Sequence, residues 1–276
     1  MAEVDAAYVE ILERHLDDVG AAHYRRLIAD RRLESDDLRA VLLSSPEFLL
    51  NRSGFYHRLH ASRSAWCADL PAWGTILDIG GSSPTHELGA LLELGYSHLP
   101  SELHILDRPE DDQFHGRPSY DQRVVRTRDW GTVTFHHGDA GHLDQVPELG
   151  GRRFDAIFMG QVIEHIPPDE LPGMLDQIHA HLVDGGMFVF DTPNRALTKI
   201  VMGNDFLTED HTREYEPGEL AAIVRQHGFA IDKITGIHPM PNSLSNRRFD
   251  PHEQPSQIGG AKPEECFCFA IHCHAE

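Results

Sequence analysis

The stretch Thr75 to Gly95, TILDIGGSSPTHELGALLELG, constrains the fold of this chain more than any other. A short apolar run leads through Asp78 and Ile79 to a pair of glycines. Ser82, Ser83 and Pro84 then precede leucines at 88, 91, 92 and 94. That order predicts a strand, a glycine-rich turn and a helix. In an open α/β sheet such a turn sits at the carboxyl end of the first strand, where ligands bind. Gly80 and Gly81 let the backbone approach a ligand with no Cβ in between. Ser83 is placed to cap the helix, with Pro84 at its first position.

From residue 75 onward strand and helix patterns alternate, which predicts a parallel sheet with helices on both faces. Strands are expected at 75–79, 103–106, 133–136, 154–159, 187–190, 229–237 and 266–274. Helices are expected around 171–182 and 217–227, the second stopped by Gly228. The polar segment 108–131 receives no assignment, and 238–264 reads as a loop rich in Pro, Asn and Gly. Residues 1–50 read as helices, with Tyr8, Ile11, Leu12, Leu16 and Val19 at helical spacing, Ser35 as a cap and Ser45-Pro46 restarting the pattern. The expected organisation is a helical appendage at 1–50, a linking helix at 51–74 and an α/β domain at 75–276.

The 24 basic and 44 acidic residues give a net charge of −20. Such a chain repels phosphate backbones, so nucleic acid is a disfavoured partner. Arg123, Arg126 and Arg128 form a small basic cluster, but acidic residues flank it. No apolar run approaches the roughly 18 residues that span a membrane. The acidic start, MAEVDAAYVE, does not read as a secretory signal. Four cysteines make no disulfide framework, so a reducing cytoplasm is expected. Most of the 20 histidines are expected at the surface. The sequence does not set the oligomeric state, and a homo-oligomer is compatible with it.

Two acidic residues follow the second and third expected strands. Asp107 is placed to accept hydrogen bonds from ribose hydroxyls, and Asp139 to meet an exocyclic amine such as the adenine N6. After the fourth strand comes GQVIEHIPPDE, residues 160–170. On a helix, Gln161, Glu164 and His165 would share one face. A carboxylate, an imidazole and an amide oxygen can hold a hard or borderline divalent cation. His211, in HTREYEPGEL, is a candidate fourth ligand. The competing reading makes Glu164 and His165 capping and packing residues, with His211 holding its loop. Cys266 and Cys268 alternate on a strand near His272 and His274. Buried core cysteines are the better reading there than zinc ligands.

Asp78, Gly80, Gly81, Asp107 and Asp139 together resemble the cofactor site of class I S-adenosylmethionine-dependent methyltransferases, over about residues 75–237. Where that family has a third glycine, this chain has Ser83. The resemblance implies a Rossmann-like, seven-stranded, mostly parallel sheet closed by a late antiparallel hairpin. It also implies S-adenosylmethionine held at Asp78, Gly80, Gly81, Ser82, Asp107, Asp139, Ala140 and Gly160. The segment from Gln161 to His165, with His211, is similar to two metal-dependent O-methyltransferase families. One acts on ubiquinone-pathway catechols, the other on the 2′-hydroxyl of small-RNA 3′ ends. Their pattern is Glu-x-x-Glu-His, and Gln161 replaces the first Glu, which removes one negative charge. The implied cation is Mg²⁺ or Mn²⁺, held by Gln161, Glu164, His165 and His211. Without a cation, His165 or His211 is the candidate general base.

The N-terminal helices resemble a short repeat appended to bacterial glycan-modifying enzymes; a plain helical cap is the alternative. The expected activity is O-methylation of a hydroxyl on a small molecule or glycan, a sugar diol being favoured. Segment 238–264 and the N-terminal helices would then wall the acceptor. RNA 2′-O-methylation and catechol or quinone-precursor methylation are the alternatives within the enzyme class. A non-catalytic S-adenosylmethionine-binding or partner-binding module is the alternative outside it, motivated by Ser83 and Gln161.

Overall fold

Apolar runs short enough for single strands and apolar stripes at helical spacing settle the architecture of residues 60–276. The computed structural model describes residues 2–12, 15, 24–25, 38–39, 42–43, 45–83, 85–109, 125–208, 210–253 and 261–276. The chain divides into two units, Met1–Leu59 with Asp250–Glu253, and His60–Phe249 with Gln254–Glu276. The division falls within the segment 51–74 that the sequence assigns to a linking helix.

In the smaller unit, α1 (Ala2–Leu12) presents Val4, Ala7, Tyr8 and Ile11 at helical spacing. These pack with Tyr24, Leu38 and Leu42. Ser45 caps α2 (Pro46–Arg52) by accepting a hydrogen bond from the Phe48 amide at 3.2 Å. The expectations on Leu16, Val19 and Ser35 lie outside the described residues. The helix α3 (Phe55–Ala68) contributes residues 60–68 to the larger unit.

The sheet of the larger unit contains β1 (Thr75–Ile79), β2 (Glu102–Asp107), β3 (Val125–Arg128), β4 (Gly131–His137), β5 (Phe154–Gly160), β6 (Leu182–Pro193), β7 (Phe229–Pro239) and β8 (Cys266–Ala275). Its order is β3-β4-β2-β1-β5-β6-β8-β7. Strands β4, β2, β1, β5 and β6 run parallel, and β8 lies antiparallel between β6 and β7. The seven expected strands and the late hairpin are therefore present. The eighth, β3, comes from the unassigned segment 108–131 and pairs antiparallel with β4. Its sequence, VRTR, carries the charge typical of a sheet edge, so it lacks the apolar run that marks a central strand. Strand β6 starts five residues before the expected one, because Leu182 already pairs with Phe154 ahead of a register shift.

The first strand is buried on both faces, from Ile76 to Ile79. One face packs Leu77, Ile157 and Met159 against Met174, Leu175 and Ile178 of α5 (Leu171–Ala180). The helix expected after the glycine turn shrinks to one turn, α4 (Ala90–Glu93). Ser83 does not cap it. The Ser83 hydroxyl accepts from the amides of Thr85 and His86 at 3.1 and 2.9 Å, so it closes a turn instead. Three helices complete the unit: α6 (Arg195–Met202), α7 (Pro217–Gln226) and α8 (Pro241–Asn246), the last inside the expected loop 238–264. Among the described residues no helix is long and apolar enough to cross a membrane.

Two of the buried histidines stack on one another. His104 on β2 and His136 on β4 are buried and stacked, with 2.8 Å between Nδ1 of the first and Nε2 of the second. Burial pushes His136 down to about 4, and the neighbouring His104 adds to the effect. The folded value lies below the ordinary unfolded one of about 6.5. The pair therefore lowers stability as pH falls from about 6.5 to about 4, where the unfolded chain alone takes the proton. In an NMR titration the His136 ring should stay neutral until near pH 4. A midpoint above 6 would contradict the buried stack.

Candidate active site

At the carboxyl ends of the parallel strands lies a cavity of about 770 Å³. It opens around β1, which has β2 on one side and β5 on the other, the position where ligands bind in open α/β sheets. The wall residues expected from the sequence come from the strand ends. Asp78 lies near the end of β1, Gly80 and Ser82 follow it, Asp107 ends β2, Asp139 and Ala140 follow β4, and Gly160 ends β5. Of the eight residues expected around the cofactor, only Gly81 is not on the wall.

The glycine pair is required by space. Gly80 has φ +72°, and a Cβ there would lie 2.4 Å from Val162 Cγ2. A Cβ on Gly81 would lie 2.3 Å from the Asp78 carboxyl carbon. The turn thus presses against Asp78, which accepts the Leu91 amide at 3.2 Å and so holds α4. Burial pushes Asp78 up to about 8; the Leu91 amide pulls it down, and the charge of Asp107 pushes it further up. Asp107 accepts the Ser82 amide at 3.0 Å, which ties the turn to β2. Asp139 accepts the Gly141 amide at 2.8 Å and pairs with Arg108 at 3.0 Å.

The helical face expected for Gln161, Glu164 and His165 does not form. Gln161 precedes a single 3₁₀ turn, Ile163–His165, and has φ +59°, strained for a residue with a side chain. Its amide nitrogen donates to Asp191 at 2.7 Å. Asp191 is fully buried and accepts both Nε and Nη2 of Arg63, at 2.6 and 3.1 Å. Burial works against the Arg63 charge, but Asp191 outweighs it and holds the guanidinium firmly protonated. Sequence reading missed both partners. Asp191 left a signal, a carboxylate closing an apolar strand; Arg63, on a mixed helix, left none.

Glu164, His165 and His211 do come together, with one ligand atom from each within 4.8 Å of the others. The Thr212 and Arg213 amides donate to the Glu164 carbonyl at 2.8 and 3.1 Å, which docks the His211 segment on the 3₁₀ turn. The His165 and His211 rings meet edge-on at 4.8 Å. Glu164 is fully buried; Oε2 accepts the Thr192 hydroxyl at 2.9 Å, and Oε1 has no hydrogen-bond partner among the described residues. Burial pushes the Glu164 carboxyl up, against the pull of the two imidazoles. Nδ1 of His165 lies 2.9 Å from Asp210, and Nδ1 of His211 lies 2.8 Å from Glu214. His165 reaches the cavity wall; Glu164 and His211 do not.

The cysteines expected in the core are there. All four are free and buried. Neither His272, bonded to Trp66 at 3.0 Å, nor His274, paired with Asp232, turns toward a thiol.

The profile of one protein family, the methyltransferase domain, matches residues 51–234, more than half of the 276. A ubiquinone biosynthesis O-methyltransferase of Paramagnetospirillum magneticum is 29% identical over 107 residues, 35% of this chain and 42% of the relative. The tetracenomycin polyketide synthesis 8-O-methyl transferase of Streptomyces glaucescens is 24% identical over 180 residues, 63% of this chain and 49% of the relative. The chain thus spans less than half the length of these curated relatives. The fold is similar to that in the complex of the Haloferax volcanii Trm112 methyltransferase activator with a methyltransferase. There the TM-score is 0.50 at 15% identity, covering 82% of this chain and 93% of the other.

Proposed function

The chain belongs to the S-adenosylmethionine-dependent methyltransferases, and from that premise we propose that it is an O-methyltransferase acting on a hydroxyl of a small molecule or glycan. A sugar diol is the favoured acceptor, with a divalent cation, Mg²⁺ or Mn²⁺, at Glu164, His165 and His211. The supporting observation is Oε1 of Glu164, buried beside two imidazoles without a hydrogen-bond partner among the described residues. A carboxylate in that position costs free energy unless a charge faces it, and a cation supplies that charge. Gln161 gives its Nε2 to Asp191, which leaves Oε1 as the atom it offers to the cation. One carboxylate and two imidazoles suit a borderline cation such as Mn²⁺.

S-adenosylmethionine brings a methyl group already electrophilic on sulfur, so the chain has to align it and remove a proton. Asp107 receives the ribose hydroxyls, Asp139 the adenine amine, and the Gly80-Gly81 backbone admits the cofactor at close range. Bound at the cluster, a cation supplies Lewis acidity to adjacent hydroxyls. With no cation at the cluster, His165 is instead the proton acceptor, because its ring reaches the cavity and Asp210 at 2.9 Å compensates the charge it gains. The ring is held above the usual histidine range: burial lowers it, but Asp210 and Glu164 more than offset that.

Calorimetric titration tests the proposal. The protein should bind S-adenosylhomocysteine, and it should bind Mn²⁺ at least about 100-fold more tightly than Glu164→Ala does, since even outer partners of a ligand are worth about 10–100-fold. Equal Mn²⁺ affinity in both proteins would remove the cation, and no S-adenosylhomocysteine binding would remove the whole proposal. A catechol or quinone-precursor acceptor is the second reading, favoured by the similarity to a ubiquinone biosynthesis O-methyltransferase. An RNA acceptor is opposed by the net charge of −20.

A further inference from the structure

Between α6 and α7 the chain has little regular structure, yet one carboxylate gathers it. Glu214 is 3% exposed. Its Oε1 accepts the Leu207 amide at 2.6 Å and faces Nδ1 of His211 at 2.8 Å. Its Oε2 accepts the Thr198 hydroxyl and lies 3.5 Å from Nη1 of Arg195. Arg195 in turn donates to the carbonyls of Gly203, Asn204 and Asp205 at 3.0, 3.3 and 2.8 Å. The carboxylate is therefore held from α6 and from the loop, and the His211 imidazole completes its contacts. With Nδ1 bonded in this way, the ring nitrogen left to face a cation is Nε2. The edge-on contact with His165, at an interplanar angle of 89°, sets the plane of the ring.

We propose that Glu214 is a positioning residue that fixes the tautomer and direction of His211 and so completes the cation site formed with Glu164 and His165. The proposal rests on the cation reading above. Glu214 neither lines the cavity nor joins the three-residue cluster, so it acts through His211. A carboxylate behind a ligating imidazole also raises the basicity of the ring.

The test uses the full chain, Mn²⁺ alone as the probe, and S-adenosylhomocysteine titration of the same sample as the control for an intact fold. Glu214→Gln keeps the shape but puts an amide where two donors meet the carboxylate. Mn²⁺ affinity should fall about 10–100-fold, with S-adenosylhomocysteine affinity within about twofold of the wild type. Thr198→Val removes a different donor to the same carboxylate and should change Mn²⁺ affinity less than about threefold. If Glu214→Gln fails to fold, Glu214→Asp is read in the same way, with the same selective loss expected. Unchanged Mn²⁺ affinity in a Glu214 variant that still binds S-adenosylhomocysteine overturns the proposal alone. So does an equal loss in Thr198→Val, which would reveal general loosening of the loop. A wild-type protein that ignores Mn²⁺ overturns the cation reading and this proposal with it.

Discussion

Gly81→Ala is expected to weaken S-adenosylhomocysteine binding about 100-fold. The added Cβ would stand 2.3 Å from both the carboxyl carbon and Oδ2 of Asp78. Asp78 cannot retreat cheaply, because it is buried and bonded to the Leu91 amide. The turn must then move away from β1, and it carries the Ser82 amide off Asp107. Overpacking of this kind costs about 1–3 kcal/mol, and about 1.4 kcal/mol is tenfold in affinity. The upper half of that range applies here, since the proposed cofactor site needs the turn, Asp78 and Asp107 in register. Thermal unfolding of the same variant separates a displaced turn from a lost fold. A variant that kept wild-type affinity would mean that the turn has slack and that the cofactor does not rest on it.

Arg63→Met should destabilise the protein by about 3–5 kcal/mol, the cost of stranding a buried charge. Asp191 has no exposed surface and takes two hydrogen bonds from this guanidinium. The Gln161 amide remains as a partner but brings no charge. Arg63→Met with Asp191→Asn should recover much of the loss, because an apolar residue facing a neutral amide leaves no ion unpaired. Chemical denaturation of the two variants reads both effects. A loss below about 1 kcal/mol in the single variant would place the pair among exposed ion pairs, which are worth about that much.

Much of this protein was legible in its residues because the signals are local. Seven strands followed from apolar runs bounded by turn residues, and the ligand turn from two adjacent glycines. Asp107 and Asp139 were found by their place after a strand, and both reach the cavity. Glu164, His165 and His211 were named from residue type, and the fold brings them together. The route differs from the expected one: a 3₁₀ turn stands where a helix was expected, and Gln161 gives its Nε2 to Asp191. The edge strand β3 and the turn-capping role of Ser83 were not legible, since both depend on what lies opposite them.

From its residues alone the chain shows seven of its strands, the glycine-rich turn after the first and the residue types at the strand ends. Each of these depends on backbone preferences expressed within a few neighbouring residues. Only the tertiary structure decided which charges meet. Arg63 and Asp191 are 128 positions apart, and Glu164 and Thr192 are 28 apart. Glu214 lies three positions from His211, yet its other contacts come from farther off, from Thr198 and Arg195 of α6 and from the Leu207 amide. Burial removes the water that would otherwise solvate these groups, so each polar pair is decided by geometry that long-range packing imposes.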